Sequence, residues 1–296
     1  SDGVKAMYDA GYTPDVVHYF FGDPVLSDVQ ARREAFLDDI RTLAKVLKDS
    51  GVGDKVAVSL EPEYNQNDVA RWEGWNDLMI EAIQILHSQA GAKVGLLPGD
   101  WDIEHLTPIS MGRAAAHADF VAFQEMRAST QDQPEDAHKI VGNAIRFSHF
   151  LSRRFLRPVR LGYLMVSDYG GWEWIQRDVL IEACERQDEL KASGLTAISW
   201  MSYLDRPASG GYFKEAESHK GLKYSDASPK PAYHVWKECV ANGPSWLKTG
   251  QEPPGAPVPA SNGCSCRTGM SQRVPYSAAV LLALASLLVW RNRGKV

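Results

Sequence analysis

An α/β fold of the (β/α)8, or TIM-barrel, type is predicted by three features of the sequence. Six apolar, strand-like runs alternate with longer amphipathic segments, which is the pattern of repeated βα units. No glycine-rich phosphate fingerprint follows any of these runs, and this counts against a doubly wound open sheet. The stretch "VSLEPEYNQN" at 58–67 turns from an apolar run into two acids, a proline and three amides. A strand that ends by presenting acids to a loop is how barrels place working groups, although a polar turn after a core strand is the commoner arrangement. Six units stand against about eight in a closed barrel, so the expected barrel is incomplete at its N-terminus and the runs are its third to eighth strands.

In chain order, "VVHYFF" at 16–21 precedes a helical segment at 27–51, where Ser27 is a candidate cap and Gly51 a candidate stop. "KVAVSLEPE" at 55–63 precedes a helix at 67–91 that again closes on glycine. "AKVGLLPGDWD" at 92–102 precedes a weaker helix at 110–117, and "ADFVAFQEM" at 118–126 precedes one at 134–155. "RPVRLGYLMVSD" at 157–168 precedes the helix at 172–194. "LTAISWMSYLD" at 195–205 is followed by a long polar loop and a last helix at 230–243.

The formal net charge of −5 offers no basic field, which argues against nucleic acid as a partner. Trp72, Trp75, Trp101, Trp172, Trp174 and Trp200 lie just after apolar runs, as core packing or as rings at loop mouths able to stack on sugars. Strand period bears on the acids. Ala57, Ser59 and Glu61 share one face and Val56, Val58 and Leu60 the other, so Glu61 is expected to rise inside the barrel at its carboxyl end. Glu63 has the same nominal parity, beyond the proline that ends regular pairing.

The ending "GLKYSDASPKPAYHVWKECV" resembles the last turn and helix of clan A glycoside hydrolases, and "ISWMSYLD" resembles their eighth strand. The resemblance implies that Trp200 floors a sugar subsite, with Tyr203 beyond it. It also implies that "AVSLEPE" is the fourth strand, with Glu61 followed by Pro62 in the acid/base position and Glu63 as the alternative. Glycoside hydrolysis needs a second carboxylate, and here the sequence departs from the clan pattern. The seventh strand ends in Asp168 rather than glutamate, and Glu125 ends the sixth; either is the candidate, with Glu173 a third choice. A carbohydrate-binding barrel without hydrolysis is the rival reading. Asp100, Trp101, Asn65, Tyr19, His18 and Trp172 would line the mouth in either case. No H-x-H or H-E-x-x-H spacing occurs, so neither a metal nor another cofactor is expected.

The tail carries a second resemblance. A Pro-rich stretch reads as an extended linker at 246–263, separating the barrel at 1–245 from a segment at 264–296. That segment holds "CSCR", an apolar run at 278–290 and the basic "RNRGK". It resembles the tripartite MYXO-CTERM sorting segment of myxobacterial surface proteins. The resemblance implies cleavage near Cys264 and Cys266 by a sorting machinery and retention at the cell surface. A plain C-terminal anchor would give the same topology, with the run spanning a membrane, Tyr276 and Trp290 at its interfaces and the basic end cytoplasmic. The opening residues show no basic start and no apolar signal core, and read as the middle of a longer chain. Cys184 and Cys239 fall on neighbouring outer helices, either as a disulfide in an oxidising compartment or as two buried thiols.

Overall fold

The six apolar runs form six strands. In the computed structural model, which describes residues 2–11, 13–22, 25–65, 68–106, 111–207 and 210–242, these are β1 (Asp15–His18), β2 (Ala57–Leu60), β3 (Lys93–Leu96), β4 (Phe120–Arg127), β5 (Val159–Val166) and β6 (Leu195–Trp200). All neighbours pair in parallel, in the order β1-β2-β3-β4-β5-β6. This is the succession of a partial barrel, with β1 and β6 as the two ends of the sheet. The expected linker and sorting segment lie outside the described residues. Among those described, no helix is long and apolar enough to cross a membrane.

The helices are α1 (Asp2–Asp9), α2 (Leu26–Ala31), α3 (Arg33–Asp49), α4 (Glu73–Ala90), α5 (Arg113–His117), α6 (Pro134–His138), α7 (Ile140–Phe155), α8 (Glu173–Glu185), α9 (Gln187–Ala192) and α10 (Pro231–Asn242). Three of the expected helices are divided, at Arg32, Lys139 and Arg186. Ser27 does not cap: α2 begins a residue earlier, after Val25, with no side-chain cap hydrogen bond. The glycine stops do form. Gly91 takes φ 69° after α4, a left-handed conformation that other residues adopt at a cost, and donates its N–H to His87 O at 3.1 Å. The long helices bury one stripe each, as their period dictates: Phe36, Leu37, Ile40, Ala44 and Leu47 on α3, and Trp75, Leu78, Met79, Ala82, Ile83 and Leu86 on α4.

Strand alternation then builds two cores. Val16, Val58, Leu60, Val94, Leu96, Val121, Phe123, Leu161 and Leu164 face the helices. Val17, Ala57, Leu97, Phe120, Ala122 and Tyr163 pack inside, with Met126 and Met201 against them. At the bottom of this interior, Asp15 of β1 accepts hydrogen bonds from Arg160 of β5 (2.7 Å) and Ser199 of β6 (3.0 Å). Side chains from the first and last strands can meet only because the sheet curls. Burial raises the Asp15 pKa, with Arg160 opposing.

One local irregularity decides which side chain of β5 faces the interior. Phe123 of β4 faces Leu161 of β5, but Gln124 faces Tyr163, so Gly162 is an extra residue and β5 bulges there. A Cβ at Gly162 would lie 2.7 Å from Leu97 Cδ1 and 3.3 Å from the Ala122 Cβ, hence glycine. The bulge keeps Leu161 and Leu164 on the helix side while Tyr163 turns inward.

On the outside, Cys184 of α8 and Cys239 of α10 are joined by a disulfide with a Cα–Cα distance of 6.0 Å. Of the two states open from sequence, the bonded one is present.

Candidate active site

The carboxyl ends of β1, β2, β4 and β5 bring Tyr19, Glu63, Gln124 and Tyr163 together. Period-two extrapolation fails just past β2, because Glu61 and Glu63 both take positive φ, 46° and 65°. The side chain of Glu61 therefore turns sideways toward the end of β1 instead of rising into the mouth. It accepts the Phe20 N–H at 3.0 Å, the Phe21 N–H at 3.2 Å and a hydrogen bond from His18 Nδ1 at 3.1 Å. Only 1% of Glu61 is exposed. The other ring nitrogen of His18 lies 3.0 Å from Asp39 on α3. Burial pulls the His18 pKa down, but the hydrogen bonds and charges of Asp39 and Glu61 outweigh it and carry the value up to about 9. His18 is thus an imidazolium bridging two acids, and Glu61 anchors the loop after β1.

Glu63 sits differently. Its N–H bonds to Leu97 O at the end of β3 (3.0 Å), its Oε2 accepts from the Tyr19 hydroxyl at 3.2 Å, and its Oε1 accepts from Gln124 Nε2. Tyr19 and Gln124 are neutral donors that orient the carboxyl group. Behind them, the Tyr163 phenol is held well above its ordinary pKa by burial, then by the negative fields of Glu63, Tyr19 and Glu217.

The two candidate second carboxylates lie elsewhere. Gln124 and Met126 take the inward positions on β4, so Glu125 faces the helices beside α7. It is fully buried, with Oε2 3.2 Å from Arg127 Nη2, and Arg127 also holds Asp100 at 2.8 Å. Burial, then the Asp100 charge, pushes the Glu125 pKa up to about 8, against Arg127, Arg146 and Asn143. Asp168, after β5, is bonded to the buried Lys230 ammonium at 2.7 Å, and Lys230 also holds Asp205 at 2.8 Å. Burial raises the Asp168 pKa and Lys230 opposes it. Oxygens of Asp168 and Asp205 and a ring nitrogen of His219 lie within 4.8 Å of one another, close enough for a metal ion. The Lys230 ammonium already contacts both carboxylates and supplies the cation. Glu173 opens α8.

Among the aromatic candidates, Trp200 is turned outward, because Ser199 takes the inward position beside Asp15. Its ring packs on Trp236 of α10 at 6.3 Å, its Nε1 donates to Lys220 O at 3.1 Å, and Met201 occupies the interior in its place. Trp172 is buried in the outer core. Trp101 and Tyr203 remain 37% and 45% exposed, Tyr203 edge-on to Tyr233 and under Lys223 Nζ. Asn65 ties two mouth loops together: its Oδ1 accepts from Gly99 N (2.6 Å) and its Nδ2 donates to Trp101 O (2.7 Å). Gln124 and Tyr163 carry no motif in the sequence; the glycine inside the apolar run "LGYLMV" is the one local signal of a bulge.

A roof closes over this mouth on the β4 and β5 side. The loop after β6 makes a short 3-10 turn at Lys214–His219, whose Ala216 packs with Phe213 against Met165 and Ala128. Ser167 Oγ donates to Ala216 O at 2.9 Å, and Thr130 Oγ1 to Phe213 O at 2.8 Å.

No known protein family and no curated protein matches the chain in sequence. Solved structures do match. A glycoside hydrolase family 17 β-1,3-glucanosyltransferase from Rhizomucor miehei superposes with a TM-score of 0.54 at 15% identity, covering 79% of this chain and 91% of its own. A β-glucuronidase from an uncultured Clostridium gives 0.57 at 14% identity, covering 80% and 42%. The β-D-glucuronidase of Dictyoglomus thermophilum gives 0.54 at 14%, covering 71% and 35%. The likeness is one of fold. The chain spans well under half the length of the glucuronidases and nearly all of the glucanosyltransferase, as a barrel-sized unit would. The neighbours carry glycoside-acting names on the same parallel βα succession, with the Glu63 cluster at its carboxyl end, where sites of this fold sit.

Proposed function

We propose that this protein is an exported glycoside hydrolase acting on an oligo- or polysaccharide, with Glu63 as the group that protonates the leaving oxygen. The observation that carries this reading is the convergence on Glu63 of two uncharged donors, Tyr19 and Gln124, at the carboxyl end of the curled sheet. Glu63 is half-buried at the mouth, whereas Glu61 is 1% exposed and tied to the loop after β1 by Phe20 N, Phe21 N and His18, out of reach of a substrate. Exposed Trp101 and Tyr203 supply faces for sugar rings. Export is supported by the tail pattern and by the Cys184–Cys239 disulfide, a bond of oxidising compartments.

The test is a polysaccharide panel with the full-length protein and its Glu63→Gln and Glu61→Gln variants. Hydrolysis should fall at least about 10²-fold for Glu63→Gln, while the near-isosteric amide preserves sugar binding. Glu61→Gln should act through stability instead. Undiminished turnover by Glu63→Gln would refute the assignment. Neither Glu125 nor Asp168 faces Glu63, and this favours a second reading, a carbohydrate-binding barrel; binding without turnover by the parent protein would establish it. The sorting proposal is checked by intact mass, since processed surface protein lacks "RNRGK" and a plain anchor retains it.

A further inference from the structure

The exposed aromatic rings of this protein gather at one end. Among the described residues, every exposed tryptophan and tyrosine except Tyr8 follows a strand, and so stands at the carboxyl end of the sheet with Glu63: Trp101 after β3, Trp174 in the first turn of α8, and Tyr203, Tyr212 and Tyr224 between β6 and α10. Leaving these rings in water forgoes hydrophobic burial, and exposed apolar surface collected in one place marks a binding face. The rings are also held still. Trp101 rests its six-membered ring on Gly99, where an added Cβ would lie 2.5 Å from Trp101 Cη2. The turn that carries it is tied to the Glu63 loop, by Glu63 N–H donating to Leu97 O and by Asn65 bonding Gly99 N and Trp101 O. Cations hold three others: Lys223 Nζ lies 4.9 Å from the Tyr203 ring, Lys230 Nζ 5.2 Å from Tyr224 and the Arg177 guanidinium 5.9 Å from Trp174. A ring already fixed gives up little freedom when a sugar stacks on it.

The order of the strands sets where the rings stand around Glu63. Trp101 lies past β3, on one flank of the β1 and β2 ends that supply Tyr19 and Glu63. Tyr203 lies past β6, which the Asp15–Ser199 contact brings to the other flank of β1. The strand ends that carry the two rings are thus at least three strand spacings apart, about 14 Å, which is wider than one sugar ring.

We propose that the substrate is a polysaccharide chain cut within its length, lying across the carboxyl-end face with one unit stacked on Trp101, another on Tyr203 and the bond to be broken between them at Glu63. This rests on the glycosidase reading above and names its substrate class. Cleavage adds one water across the glycosidic bond: the hydroxyl ends on the anomeric carbon and the hydrogen on the leaving oxygen. Trp174, Tyr212 and Tyr224, on the segments after β5 and β6, extend the track to more distant units.

The experiment uses the full chain with the polysaccharide panel and with short and long oligosaccharides of whichever polymer is cleaved. Early products should be long fragments, with viscosity falling well before reducing ends accumulate, and kcat/KM should rise at least about tenfold from the disaccharide to a long oligosaccharide. Trp101→Ala and Tyr203→Ala should each raise KM for the long oligosaccharide about tenfold while kcat changes little, as loss of uniform binding does. Gly99→Ala, which drives a Cβ into the Trp101 ring, should reproduce the Trp101→Ala effect. If Trp101→Ala melts early, Trp101→Leu at an unchanged melting temperature decides: a raised KM supports the platform and an unchanged one refutes it. Release of mono- or disaccharide alone from the outset, with no dependence on chain length, would overturn the proposal and leave the glycosidase reading standing. A parent protein that cleaves nothing on the panel overturns that reading itself, and this inference with it.

Discussion

Replacing His18 with glutamine should remove a defined part of the pH dependence of stability. His18 is buried between Glu61 and Asp39, and its pKa rises from 6.5 to about 9 on folding. A raised basic pKa means that the native state holds a proton the unfolded chain has released. Its contribution is therefore complete below pH 6.5 and is lost as pH rises through 9. At about 1.4 kcal/mol per pH unit, that interval corresponds to about 3 kcal/mol. Urea unfolding of parent and His18→Gln at intervals from pH 6 to 10 measures it. The parent should lose about 3 kcal/mol more than the variant across this range, and the two should run parallel above pH 9. A constant offset over the whole range would show that His18 is not an imidazolium in the folded protein, and would refute the account of Glu61 as its counter-ion.

Two further outcomes follow from the same physics. Glu125 has a pKa raised from 4.5 to about 8 by burial, then by Asp100. The native state therefore holds its proton between those values and stability falls as pH rises through that window, by about 5 kcal/mol in all. Glu125→Gln, permanently neutral, should flatten this decline and melt higher than the parent above pH 8, which differential scanning calorimetry reads. The Cys184–Cys239 bond spans a sequence separation of 55 residues, and loop-closure entropy gives it about 4 kcal/mol. Cys184→Ser should lower the urea midpoint accordingly, with β-mercaptoethanol shifting the parent but not the variant.

The fold was legible because its signals are local and repeated. The central strands bury both faces, so "FVAF" reads as an unbroken apolar run and "VAVSL" is broken only by Ser59, and each long helix shows its stripe. Helix divisions at Arg32, Lys139 and Arg186 were not legible, since no proline or glycine marks them and tertiary packing sets them. The disulfide stood open because nothing in two isolated cysteines fixes their distance; the docking of α8 on α10 does that.

Within the candidate site, the departure at Glu61 has a clear physical cause. Period-two reasoning assumes extended backbone, and it held for Ser59 and failed at Glu61, the first residue past β2, where φ turns positive. From there, two glutamates of equal nominal parity diverge: one bonds backward to three donors on the neighbouring strand end, and the other reaches inward to a tyrosine and a glutamine. A left-handed glutamate carries a strain that glycine would avoid. The hydrogen bonds that Glu61 accepts from Phe20 N, Phe21 N and His18 offset that strain. Locking Glu61 in this way also fixes the turn that aims Glu63, so the buried imidazolium–carboxylate pair below the mouth acts on the candidate acid through the backbone. A conservative change at His18 should consequently disturb turnover by misaiming Glu63 even where the protein stays folded, with kcat falling while sugar affinity is kept.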